Sequence, residues 1–96
     1  MNIQITARHD RKVSDDMKDF IEAEIENLTK FYDKISSVHV VLDKEMHKKG
    51  EEDIVEIDLS VSGVAMSAKA QDENLGKAFD AVIEKITRQI KKKNEK

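Results

Sequence analysis

The chain has no cysteine, no proline and no tryptophan, and only three glycines and one tyrosine in 96 residues. Without cysteine it makes no disulfide, offers no thiolate nucleophile and builds no cysteine-ligated zinc site. Three scattered glycines form neither a P-loop nor a G-x-G-x-x-G turn, and no G-x-S-x-G is present. Aromatic residues are just as scarce. Phe20, Phe31 and Phe79 fall at core positions of helical periods and Tyr32 stands alone, so no stacking platform for single-stranded bases is expected. No apolar run approaches the roughly 18 residues of a membrane span. The opening Met1–Thr6 alternates apolar and polar residues and lacks the apolar centre of a signal peptide. These absences point to a cytoplasmic protein with no membrane partner.

Charged and apolar residues each make up 39% of the chain, a balance that suits one small folded domain over 1–96. Ile3, Ile5 and Ala7 alternate with Gln4 and Thr6, which predicts a strand. Ser14 is placed to cap a helix over about Asp15–Phe31, with Asp15 and Asp16 at its positive end and Met17, Phe20, Ile21, Ile25 and Leu28 on its apolar face. Ser37–Leu42 is rich in β-branched residues and predicts a second strand. The charged stretch Asp43–Asp53 contains Gly50, has no periodicity and predicts a mobile hairpin loop. Val55, Ile57, Leu59 and Val61 form the inner face of a third strand, and Ser62-Gly63 turns it into a fourth with Met66, Ala68 and Ala70 inward. Leu75, Ala78, Phe79, Val82, Ile83, Ile86 and Ile90 define a closing helix, followed by a basic frayed tail over 91–96. The predicted fold is α+β, a two-layer β-α-β-β-β-α sandwich. Its four-stranded mixed sheet carries both helices on one face.

The net charge of −3 conceals an uneven distribution. From Ser14 to Lys30 six acids face two lysines, whereas from Asn74 to Lys96 six lysines and Arg88 face three acids. On the closing helix Lys85, Arg88, Lys92 and Lys96 form one stripe, with Lys77 on the same side and Lys91 beside it. A row of cations on a helix can meet a run of phosphates, each neutralisation releasing counterions and making affinity salt-dependent. Lysines near a helix C-terminus also serve the dipole and solubility, whether or not RNA is bound.

The three histidines, His9, His39 and His47, lack metal-ligand spacing, and Glu51-Glu52-Asp53 reads as a solvated acidic loop, so no metal site is expected. No set of residues forms a catalytic constellation. The chain is expected to be no enzyme, with no cofactor and no small-molecule substrate.

Four stretches resemble the short ribosome hibernation-promoting factors, also called ribosome-associated inhibitors, protein Y or sigma-54 modulation proteins. They are Met1–His9, Leu28-Thr29-Lys30-Phe31-Tyr32-Asp33-Lys34-Ile35, Val38–Leu42, and Phe79–Lys92. In the last, Asp80, Lys85, Arg88, Gln89 and Lys92 stand in the family's register. The chain departs at Asn74-Leu75-Gly76-Lys77-Ala78, where the family has Asp-Met-Tyr-Ala-Ala. The resemblance implies a fold akin to double-stranded-RNA-binding domains. It implies a translation inhibitor bound to 16S rRNA in the decoding channel of the small ribosomal subunit, which blocks mRNA and tRNA under starvation or in stationary phase. It points to Lys85, Arg88, Lys92, Lys96, Lys30, Lys34 and Arg8 as RNA contacts and to no C-terminal dimerisation domain; the chain is expected to be a monomer when free. Two other functions fit the residues: an adaptor acting through the acidic first helix, or a general double-stranded-RNA binder.

Overall fold

The computed structural model describes residues 2–9 and 12–94. Six elements follow in the order β1 (Asn2–Ala7), α1 (Asp15–Phe31), β2 (Ile35–His47), β3 (Gly50–Val61), β4 (Val64–Asp72) and α2 (Leu75–Asn94). The strands form one sheet in the order β1-β2-β3-β4, with β1 parallel to β2 and the other neighbours antiparallel. This is the predicted α+β sandwich.

Local signals place the helices as read. The Ser14 side chain accepts from the Met17 N–H at 3.1 Å, and Tyr32 N–H closes α1 on the Leu28 carbonyl. Asn74 caps α2 by accepting from Lys77 N–H at 3.1 Å. Ile21, Ile25 and Leu28 of α1 and Ala78, Phe79, Val82, Ile86 and Ile90 of α2 are buried against Val38, Val40, Leu42, Val55, Ile57, Leu59 and Val61 of the sheet. Each of these side chains other than Ala78 contributes roughly 1.5–3 kcal/mol of burial, so this seam is what holds the two layers together. Phe20 and Phe79 tie the helices to each other, edge to face, with ring centroids 5.5 Å apart.

Three expectations are corrected. The stretch Asp43–Asp53 does make a hairpin, but a paired one and not a long loop: β2 and β3 stay in register out to His47↔Gly50, leaving only Lys48 and Lys49 as the turn. Its side chains run polar on both faces because residues 45–51 are exposed, so the alternation that marks a half-buried strand is missing. Cross-strand pairs hold it instead: His47 to Glu52 at 2.6 Å, Lys44 to Glu51 at 3.9 Å, and the Gln71 amide to Glu45 at 2.6 Å. The basic tail is the second correction, since α2 continues through Asn94 past Lys91, Lys92 and Lys93. Phe31 is the third. It is 84% exposed, while its neighbour Tyr32 packs against the core.

The sheet's open face carries a polar network. Thr6 Oγ1 and His39 Nε2 lie 2.7 Å apart, and Ser67 donates to Asp58 at 2.6 Å. Glu56 is pushed above its usual range, first by its hydrogen bond to the Asp58 carboxyl, then by burial, then by the repulsion of that charge. At one end of this face an open depression of about 510 Å³ lies between Gln4, His39, Asp58 and Ser60.

Candidate nucleic-acid interface

The α2 cations divide by what they touch. Lys85 Nζ donates to the main-chain carbonyl of Lys69 at 2.8 Å, and Gln89 Nε2 donates to that of Ser67, also at 2.8 Å. Four residues of helix rise about 6 Å and two residues of strand about 6.7 Å, so the two spacings match. Because β4 is an edge strand, these bonds occupy carbonyls that have no strand beside them. Arg88 is also engaged, in an (i, i+4) ion pair with Glu84, and both side chains are exposed. Lys92 continues the stripe. Lys91, Lys92 and Lys93 are exposed and make no ion pair with any described residue.

The sheet topology decides which cations meet. Helix α1 must run back antiparallel to β1 to reach the start of β2, which is parallel to β1. Along α2, residue 85 lies at strand residue 69 and residue 89 at residue 67, so α2 runs antiparallel to β4. Both helices therefore point the same way and end at one pole. Lys30 in the last turn of α1, Lys34 after it, and Lys91, Lys92 and Lys93 in the last turn of α2 all belong to that pole. The Lys34 carbonyl accepts from Ser62 N–H there at 3.2 Å, which fixes the exit of α1 against the β3–β4 turn. Two of the anticipated residues lie elsewhere. Arg8 follows β1 and Lys77 opens α2, and both sit at the opposite pole with the β2–β3 hairpin tip. Lys96 lies outside the described residues.

Between the helices, toward their shared C-terminal pole, is a groove of about 440 Å³. Leu28, Phe31, Tyr32 and Ile83 supply its apolar surface, and Glu24, Asn27, Thr87 and Lys91 its polar rim. Sequence reasoning placed Phe31 in the core and gave Lys93 and Gln89 no role of their own at this surface. Tyr32 follows Phe31 directly and points about 100° away from it. Here it is Tyr32 that turns against the core, which leaves Phe31 outside.

The histidines are held singly. His9 Nδ1 pairs with Asp43 at 2.8 Å, a hydrogen bond that is the main cause of the lowered Asp43 pKa. His47 pairs with Glu52 and His39 with Thr6. Among the described residues no three His, Asp or Glu side chains converge as metal ligands, and no helix is long and apolar enough to cross a membrane.

The architecture matches that of two solved structures. The chain superposes along its whole length, with a TM-score of 0.84 and 23% identity, on a ribosomal subunit interface protein from Coxiella burnetii, all of which is covered. It also superposes on the N-terminal domain of Thermus thermophilus Protein Y, with a TM-score of 0.74 and 20% identity over 96% of this chain and 98% of that one. At these identities the likeness establishes the fold, and neither structure is described as a double-stranded-RNA-binding domain. In sequence the chain is 33% identical over its full length to the ribosome hibernation promoting factor of Azotobacter vinelandii, covering 85% of that protein. It is 31% identical to the factor of that name from Klebsiella oxytoca, covering 96% of it. The family model described as sigma 54 modulation protein / S30EA ribosomal protein matches residues 3–96, and the chain belongs to that family.

Proposed function

We propose that this protein is a non-enzymatic hibernation factor of the cytoplasm. It binds the small ribosomal subunit through 16S rRNA in the decoding channel and, by occupying that space, excludes mRNA and tRNA. The observation that carries the reading is the basic pole. Lys30, Lys34, Lys91, Lys92 and Lys93 are brought together where both helices end, and the carbonyl end of each helix dipole is covered by the cations phosphate requires. Arg88 and Lys85 extend the surface along α2 toward β4. A folded body of 45 × 26 × 17 Å then acts as the plug. Free in solution, the chain is a monomer.

The test is co-sedimentation of the Arg88→Glu/Lys91→Glu/Lys92→Glu variant with small subunits. These three side chains are exposed, so the fold survives. Binding is expected to disappear, and binding at the parent level overturns the reading. Lys85 is spared because it also fastens β4. For the parent, log affinity should fall with log salt by roughly 0.7–0.9 for each phosphate engaged.

A further inference from the structure

We infer that the groove between α1 and α2 is a nucleotide pocket, in which Phe31 stacks on an unpaired base of the bound RNA while Lys91 and Lys34 hold its phosphates. The inference rests on the RNA-binding reading above and adds to it a base-contacting site.

Three observations converge on this pocket. The first is the aromatic ring. Phe31 is 84% exposed and is the most exposed of the large hydrophobic residues described. A phenyl ring left in water costs roughly 1.5–3 kcal/mol relative to burial, so this one is available to a partner. The second is the lining. Leu28 and Ile83 give an apolar floor between the helices, while Glu24, Asn27 and Thr87 place a carboxylate, an amide and a hydroxyl on its rim. An unpaired base offers that same combination, a π-face ringed by in-plane donors and acceptors. The third is charge. Lys91 lines the groove, Lys30 precedes Phe31 in α1, and Lys34 follows at the helix exit. An apolar peptide would be served by the floor but has no use for three flanking cations. A nucleotide uses both. Every base has a π-face, so the pocket accepts bases with little dependence on sequence.

The chain has no tryptophan, so Phe31→Trp installs a single fluorescent reporter. Titrating this full-length variant with a short single-stranded oligoadenylate should quench the indole in a saturable manner. Phe31→Ala should weaken binding of the oligonucleotide and of small subunits by roughly tenfold, the usual loss when one stacked base is released. Its salt slope should match the parent's, since a phenyl ring neutralises no phosphate. Lys91→Ala should flatten that slope. The inference is overturned if the indole does not respond to oligoadenylate, if it responds to an apolar peptide and not to RNA, or if Phe31→Ala binds as tightly as the parent. The last result, combined with loss of binding in the Arg88/Lys91/Lys92 variant, removes the pocket and leaves the basic pole standing. Full binding by that charge-reversed variant removes the RNA-binding reading itself.

Discussion

Lys85 donates from its ammonium to the Lys69 carbonyl at 2.8 Å, so a cation in the proposed RNA-binding stripe also closes the free edge of the sheet. Together with Gln89 on Ser67, it fastens α2 to β4 by side chain to main chain. Each bond contributes about 0.5–1.5 kcal/mol net. Lys85→Met/Gln89→Met keeps the aliphatic length and removes both donors. Chemical denaturation should show a loss of about 1–3 kcal/mol, twice the single-bond figure. With the edge unguarded, light scattering should also show concentration-dependent association. A double variant as stable and monodisperse as the parent would show that the clamp contributes nothing.

Two carboxyl groups should respond to pH with opposite signs. Asp43 is held below its ordinary range, chiefly by the hydrogen bond from His9 and with help from the Lys44 N–H. Its contribution to stability is present above the unfolded-state value of about 4 and is lost as pH falls through the lower folded value. Asp43→Asn should therefore destabilise at neutral pH and be nearly silent in strong acid. Glu56 is raised, first by its bond to Asp58, so its ionisation costs stability above the folded value, and the cost fades as pH falls toward about 4. Glu56→Gln should stabilise at pH 7 and lose its advantage by about pH 3. Thermal melts of both variants across that range decide the matter, and the same sign for both would contradict the network.

Where a buried face imposes a period, the fold could be read from the sequence. Val55, Ile57, Leu59 and Val61 alternate because helices cover one side of β3, and the Ser14 and Asn74 caps announce their helices. At the outer end of β2–β3 no helix covers either side, the period vanishes, and a regular hairpin looked like a loop. The bulge between Ile35 and Ser37 hid the start of β2 in the same way, since it turns both Ser36 and Ser37 outward. The alignment of Lys85, Arg88 and Lys92 along α2 was legible from spacing alone. Its meeting with Lys30 and Lys34 was not, because that depends on both helices running the same way. The guard on β4 was hidden for a similar reason: an edge strand is known only once the strand order is known.

The turn between β3 and β4 leaves room for improvement. Val61 pairs with Val64 across Ser62 and Gly63, whose φ angles are +50° and +80°. Two positive φ values in succession make a type I′ turn, for which Asn-Gly is the preferred pair. Serine carries a steric cost at this angle that asparagine tolerates better. Ser62→Asn should raise stability by a few tenths of a kcal/mol to about 1 kcal/mol. Gly63→Ala, whose Cβ would meet open space but whose backbone would remain left-handed, should lower it by about 1 kcal/mol or more. Denaturant midpoints measured at unchanged m-value would distinguish a turn effect from a change in compactness.

Glu84 stands one helical turn before Arg88 and holds its guanidinium, so on the proposed RNA surface a carboxylate occupies the place a phosphate would take. Both groups are well exposed, and an (i, i+4) pair of this kind contributes only about 0.3–0.5 kcal/mol to the helix. Its effect on binding should be larger than its effect on folding. Engaging RNA breaks the pair and brings phosphate oxygens toward a fixed negative charge. Glu84→Gln removes the charge and keeps the shape, so melting should barely change while affinity for small subunits at low salt rises by a factor of about two or more. In an Arg88→Ala background the part of that gain due to releasing the guanidinium should vanish, leaving only the relief of direct repulsion. A double-mutant cycle on binding measures the difference. If Glu84→Gln weakened binding, Glu84 would be orienting Arg88 toward the RNA, and the competition between carboxylate and phosphate would be refuted.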